Sequence, residues 1–259
     1  MPHDAGSDRV ANARRAIGLI DLTDLSDDHS AAGIDELCRR AQEYGTAAVC
    51  VWPEYVSTCA RQLAGSGVRV ATVVNFPSGD EPESAVVDAV QAALAGGADD
   101  VDLVLPYRAV LAGTDAVAAS MVASVAGLID APHLLKVILE TGALGPTDVP
   151  RAARLAIENG ADFVKTSTGK IPAGASLEAA GAMLDAIAEA SARGRLVGLK
   201  PSGGIRTFDE AMAYIDLADS VMGAGWATPS TFRFGASGLL DSLLATIDGD
   251  DGQVATSSY

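Results

Sequence analysis

Cysteine, histidine and basic side chains are all scarce in this 259-residue chain. Its three cysteines, Cys38, Cys50 and Cys59, form neither a C-x-x-C pair nor an even disulfide set, which fits a reducing compartment and free thiols. The three histidines, His3, His29 and His133, are scattered and none falls at the C-terminal end of an expected strand. With no cysteine cluster beside them, they count against a zinc centre, and no metal or other cofactor is expected. Lysine and arginine number 18 against 34 acidic residues, a net charge of -16, which argues against nucleic acid or an anionic membrane surface as a partner. A small anionic metabolite stays allowed, because a nest of backbone N–H groups and one or two lysines outweighs the global field at short range.

Long apolar runs are also missing: none approaches the roughly 18 residues of a membrane span. The start, Met1-Pro-His-Asp-Ala-Gly-Ser-Asp-Arg9, lacks the basic and apolar regions of a secretory signal, so a cytoplasmic location is expected. No proline- or serine-rich linker divides the chain, and 49% of its residues are hydrophobic, enough for a large core. One domain is expected over residues 1–248, followed by a flexible tail over 249–259.

Short Val/Leu/Ile-rich runs alternate with alanine-rich amphipathic stretches. Strands are predicted near Gly18 to Leu22, Ala47 to Trp52, Val68 to Asn75, Asp100 to Leu105, Leu134 to Glu140, Phe163 to Thr166, Leu196 to Lys200 and Ser220 to Gly223. Helical patterns lie between them, among them Asp35 to Tyr44, Glu83 to Leu94, Val149 to Glu158 and Leu177 to Ala192. This alternation predicts an α/β fold, a (β/α)8 TIM barrel with an extra N-terminal helix over Arg9 to Ala16. The repeated Gly97-Ala-Asp99 and Gly160-Ala-Asp162, each between a helix and a strand, agrees with it. An open doubly wound sheet is the alternative, and the missing G-x-G-x-x-G turn counts against it.

In a barrel, chemistry collects at the C-terminal ends of the strands. Lys165 and Lys200 each close an apolar run and precede a polar, glycine-bearing loop. A lysine acts as a nucleophile only once its proton is removed, and a second cation nearby is one of the few ways to ease that loss. Neighbouring strands could bring the two amines that close, and the pairing suggests Schiff-base chemistry. Asp102 and Asp21 also stand at strand ends, where a charge inside an apolar run is costly unless paired. Asp21 could equally hold the strand-one loop by a hydrogen bond, and Cys50 could face the pocket or simply fill space.

At these residues the chain resembles the deoxyribose-phosphate aldolases, a class I aldolase family. The resemblance rests on Asp21-Leu-Thr23, Thr72-Val-Val-Asn-Phe-Pro77, Val101-Asp-Leu-Val-Leu-Pro-Tyr-Arg108, Leu135-Lys-Val-Ile-Leu-Glu-Thr-Gly142, Phe163-Val-Lys-Thr-Ser-Thr-Gly-Lys170, Lys200-Pro-Ser-Gly-Gly-Ile-Arg206 and Arg233-Phe-Gly-Ala-Ser237. It implies that Lys165 forms the Schiff base, Lys200 depresses its pKa, and Asp102 moves protons through a water. It also implies reversible cleavage of 2-deoxy-D-ribose 5-phosphate into D-glyceraldehyde 3-phosphate and acetaldehyde, without a metal.

The phosphate is expected at Ser202, Gly203 and Gly204, at Gly235 and Ser237 opening the last helix, and at Lys170. Gly238 departs from the family, many members of which carry a second serine there. Thr23 and Thr168 are further candidate substrate contacts, and the terminal Tyr259 is a candidate proton donor to the enamine carbon. A noncatalytic phosphosugar-binding barrel would have no use for the lysine pair, whereas a transaldolase-like enzyme would differ in its carbonyl donor. A symmetric homodimer fits a soluble enzyme of this kind.

Overall fold

The computed structural model describes residues 5–249. Helix α1 (Ala5–Ile17) precedes β1 (Ile20–Asp24), α2 (Ala31–Tyr44), β2 (Ala48–Val51), α3 (Val56–Gln62), β3 (Arg69–Val74), α4 (Glu83–Ala95) and β4 (Asp100–Val104). There follow α5 (Tyr107–Leu111), α6 (Asp115–Ala126), β5 (Leu134–Ile138), α7 (Asp148–Glu158), β6 (Phe163–Lys165), α8 (Leu177–Ser191), β7 (Gly198–Lys200), α9 (Phe208–Met222), β8 (Phe234–Ala236) and α10 (Leu239–Asp248). All strand pairs are parallel, in the order β7-β6-β5-β4-β3-β2-β1-β8. Isolated bridges from Leu199 to Phe232 and from Ser202 to Gly235 bring the two ends of this order together. The result is the expected TIM barrel, with the main apolar layer between strands and helices.

Seven of the predicted strands are present, each within a few residues of its expected span. The eighth is not: Ser220 to Gly223 is the end of α9, and the strand lies at Phe234–Ala236. The helical period explains the error. Phe208, Ala211, Ile215 and Ala218 are buried along one face of α9, and Met222 packs against the same core, so the apolar pair Val221-Met222 continues a helix. The true β8 has three residues, one of them glycine, and follows an arginine, which leaves no apolar run to detect. The extra helix also extends beyond the expected Arg9 to Ala16.

The glycine-alanine-aspartate repeat has a double structural role. Gly97 and Gly160 adopt φ of 98° and 118°, and a Cβ at either would lie 2.8 or 2.4 Å from the Cβ of Ala60 or Ala126. Only glycine permits that backbone and that approach. Two residues on, Asp99 Oδ2 accepts the Val70 N–H at 2.8 Å and Asp162 Oδ2 accepts the Leu135 N–H at 2.9 Å. Each aspartate thereby pins the start of the preceding strand.

Candidate active site

The barrel interior carries charge where a strand core is usually apolar. Asp100 and Asp102, two apart on β4, share a face of the strand. In register with Asp102 on β5 is Lys136, while Lys165 and Lys200 face each other on β6 and β7. Asp102 Oδ2 accepts from Lys165 Nζ at 2.7 Å and from Lys200 Nζ at 2.8 Å. One oxygen therefore holds both amines, at most about 5.5 Å apart. Lys200 Nζ also meets Asp21 Oδ2 at 2.5 Å, and Arg233 Nη1 donates to Asp21 Oδ1 at 2.7 Å. Lys136 Nζ lies 2.5 Å from Asp100 Oδ2, 3.3 Å from Asp102 Oδ1 and 3.5 Å from Asp21 Oδ2.

These contacts make one network, which Arg69 extends through a 2.6 Å ion pair with Asp100. Five cations face three carboxylates. Burial pushes the Asp102 carboxyl upward, but Lys165, Lys200 and Lys136 together hold it well below the usual carboxylate range. Asp21 is likewise raised by burial and held low by Lys200, Lys136 and Arg233. Burial pushes the Lys200 ammonium down, yet Asp102 and Asp21 raise it above the ordinary lysine value. Both carboxylates and Lys200 thus stay charged at neutral pH. Cys50 is fully buried with Leu25, Ala71 and Val73; burial raises its thiol, which lies within the field of Lys200, Asp102, Lys165 and Asp21.

Lys136 and Arg233 are the interior residues that sequence reasoning missed. The signal was present, since Lys136 sits in the apolar run Leu134-Leu-Lys-Val-Ile138, the same anomaly that drew attention to Asp102. The chain has four lysines in all: Lys136, Lys165, Lys170 and Lys200. Three lie inside the barrel, and every other basic residue is an arginine.

Around this interior the loops divide into engaged and open groups. Thr23 Oγ1 donates to its own strand at Asp21 O, 2.8 Å away. Thr168 Oγ1 donates to Glu140 Oε2 at 2.5 Å and accepts the Lys170 N–H at 3.1 Å. Glu140 takes φ 57°, a left-handed conformation uncommon for a glutamate. Ser202 Oγ donates to Ser167 O, so that hydroxyl ties β7 to the loop after β6. Gly235 corrects the sequence expectation: it lies within β8 rather than opening the last helix, and its N–H donates to Pro201 O at 2.9 Å. Its bare Cα serves close packing, since a Cβ there would stand 2.7 Å from Ser202 Cβ.

By contrast, the N–H groups of Gly203, Gly204 and Ser237 have no acceptor among the described residues. Gly203 and Gly204 both adopt φ 89°, and Ser237 with Gly238 leads into the N-terminus of α10. That combination suits an anion. Lys170 Nζ is at Asp27 Oδ1, 3.2 Å away, and over the Trp52 ring at 5.7 Å. Tyr259 lies outside the described residues. A cleft of about 430 Å³ lined by Arg14, Ile17, Tyr44 and Ile247 forms where helices end, at the opposite end of the barrel from these loops. Among the described residues no helix is long and apolar enough to cross a membrane.

A TIM barrel with a lysine-rich interior beneath glycine loops has the makings of a lyase acting on a carbonyl compound. The family model for the DeoC/LacD family aldolases matches residues 15–243. A deoxyribose-phosphate aldolase of Agrobacterium fabrum is 48% identical over 252 residues, covering 95% of this chain and 96% of that one. A candidate deoxyribose-phosphate aldolase of Coccidioides immitis, solved by crystallography, superposes with a TM-score of 0.80 at 32% identity, covering 90% of this chain and 86% of that one. The tetrameric deoxyribose phosphate aldolase of Aeropyrum pernix shares the fold, with a TM-score of 0.76 at 24% identity over 93% of this chain and 94% of that one. The chain belongs to the DeoC/LacD aldolase family and is an aldolase.

Proposed function

We propose that this aldolase cleaves 2-deoxy-D-ribose 5-phosphate reversibly into D-glyceraldehyde 3-phosphate and acetaldehyde through a Schiff base on Lys165. The observation that carries the reading is the shared oxygen: Lys165 and Lys200 both donate to Asp102 Oδ2 inside the barrel. A binding-only barrel gains nothing from burying two amines beside one carboxylate, an arrangement that costs several kcal/mol of desolvation unless each charge is compensated. The name of the Agrobacterium fabrum relative supports the substrate.

Attack on the open-chain aldehyde requires Lys165 as the free amine. Loss of that proton takes the excess positive charge of the buried network from two to one. Lys165 Nζ then bonds to C1, water leaves, and an iminium forms. The C3 hydroxyl gives its proton to Asp102 through a water, the C2–C3 bond breaks, and its electron pair enters the iminium to leave an enamine. D-glyceraldehyde 3-phosphate departs. Protonation of the enamine carbon, for which Tyr259 is the proposed donor, and hydrolysis then release acetaldehyde.

Lys200 supplies charge beside Lys165, and Asp21 keeps Lys200 in place. Gly203, Gly204, Ser237 and Lys170 take the phosphate, with Ser202 and Gly235 shaping the loop beneath it, and Thr168 faces the substrate hydroxyls. The three free, buried thiols support a cytoplasmic enzyme, proposed as a homodimer. Borohydride reduction in the presence of acetaldehyde, followed by peptide mass mapping, tests the mechanism. An ethyl group on Lys165 with irreversible loss of activity is expected, and labelling confined to another lysine would overturn the assignment.

A further inference from the structure

We infer that Asp27 is the resting partner of Lys170, a carboxylate that holds the ammonium while no phosphate is bound and competes with the phosphate when one arrives. The inference rests on the proposed phosphate role of Lys170. Lys170 follows β6 and Trp52 follows β2, and in the closed order of eight strands these two stand diametrically opposite. Asp27, from the loop after β1, completes the contact: its Oδ1 is 3.2 Å from Lys170 Nζ, which lies 5.7 Å from the centre of the Trp52 ring. Lys170 therefore joins loops from opposite sides of the barrel mouth.

The wall that carries Asp27 is well braced. Trp52 Nε1 donates to Ser26 O at 3.0 Å, the Ser26 N–H donates to Asp24 Oδ1 at 3.1 Å, and Ser26 Oγ donates to the same oxygen at 2.7 Å. The His29 ring stands edge-on to Tyr55 at 5.2 Å, with Nε2 3.4 Å from Glu54 Oε1. Asp27 is thus presented by a fixed loop, yet its side chain is 91% exposed against 29% for Lys170. An ion pair so open to water is weak and easily exchanged.

A phosphate monoester carries nearly two negative charges and three acceptor oxygens. Next to the unpaired N–H groups of Gly203, Gly204 and Ser237 it can outbid a single solvated carboxylate for the ammonium. When phosphorylated product leaves, Asp27 and Trp52 recapture Lys170. Asp27 therefore sets the affinity for the phosphate rather than the chemistry at Lys165.

The test compares Asp27→Asn with Asp28→Asn, which removes the neighbouring carboxylate and controls for the general field. Asp27→Asn should lower KM for deoxyribose 5-phosphate and the inhibition constant of inorganic phosphate by about two- to fivefold, the worth of one exposed pair. The gain should be confined to phosphorylated ligands and should vanish when Lys170→Met is added. In a Trp226→Phe background, where Trp52 is the remaining tryptophan, inorganic phosphate should change the Trp52 emission, and Lys170→Met should abolish that change. An unchanged KM in Asp27→Asn, an equal drop in Asp28→Asn, or a drop that persists without Lys170 would overturn the inference. Lys170→Met alone tests the phosphate site: if it leaves the preference for phosphorylated substrate intact, that reading fails; if it raises KM while Asp27→Asn changes nothing, only the resting-partner role fails.

Discussion

Lys165 and Lys200 face each other in register on β6 and β7 and converge on a single carboxylate oxygen, Asp102 Oδ2. Their surroundings differ, although the sequence presents the two residues alike. Lys200 is fully buried and held charged by two carboxylates, whereas Lys165 has one carboxylate contact and slight exposure. Of the two amines, Lys165 is the one with any exposure, as its proposed role as the nucleophile requires.

Replacing Lys200 separates its charge from its bulk. Lys200→Met should lower kcat/KM by about two to three orders of magnitude, the range of general acid–base assistance. It should also move the acid limb of the rate profile to higher pH, because the neighbouring cation is gone. An acid limb that stays at the same pH, measured across about pH 5 to 9, would show that Lys200 does not act by charge.

Lys136 has no proposed contact with substrate, so its removal should appear first in stability. It is fully buried against Asp100 and Asp102, and Lys136→Met removes the cation they share, leaving Asp100 to Arg69 and Asp102 to Lys165 and Lys200. The expected cost is about 1–3 kcal/mol in urea unfolding, that of buried carboxylate oxygens losing one of their donors. Adding Asp100→Asn should recover part of it, and strictly additive losses would contradict the direct pairing.

Gly204→Glu should raise KM for deoxyribose 5-phosphate by about tenfold or more, roughly one lost charge-assisted hydrogen bond, while sparing unphosphorylated deoxyribose. Gly204 takes φ 89° with nothing near its missing Cβ, so Gly204→Ala carries the backbone strain without the charge. Equal losses on both substrates in both variants would point to misfolding rather than to the phosphate.

Glu210 closes a capping box on α9, its carboxylate accepting the N–H groups of Arg206 and Thr207 at 2.8 and 3.0 Å. Slight burial pushes its carboxyl up, but these bonds bring it below the usual glutamate value. A depressed carboxyl stabilises the fold above its unfolded pKa and loses that contribution as pH falls through its folded pKa. Glu210→Gln should therefore cost about 0.3–1 kcal/mol at pH 7. The gap should close as both proteins are taken through the lower pKa; a pH-independent difference in thermal unfolding would refute this.

The proposed role of Tyr259 is tested by deletion. Its deletion should slow turnover and hydrogen exchange at the methyl carbon of acetaldehyde while borohydride trapping at Lys165 continues, since iminium formation comes before that proton transfer. Full exchange in the truncated protein would remove Tyr259 from the mechanism.

The alternation of apolar runs and amphipathic helices made the barrel legible, because strand and helix periods are local properties that survive in the linear chain. Lys165, Lys200, Asp102 and Asp21 stood out for a similarly local reason: a charge inside an apolar run needs a partner, whoever that partner is. Tertiary structure decided the partners. Arg233 reaches Asp21 across the closing strands and Lys136 ties together carboxylates from β1 and β4, contacts between residues far apart in sequence. Local pattern also failed at β8, where a three-residue strand owes its place to the ring that it closes rather than to its own hydrophobicity. Lys170 shows the same division: its motif announced a cation near a phosphate loop, and only the opposition of β6 and β2 brings it to Asp27 and Trp52.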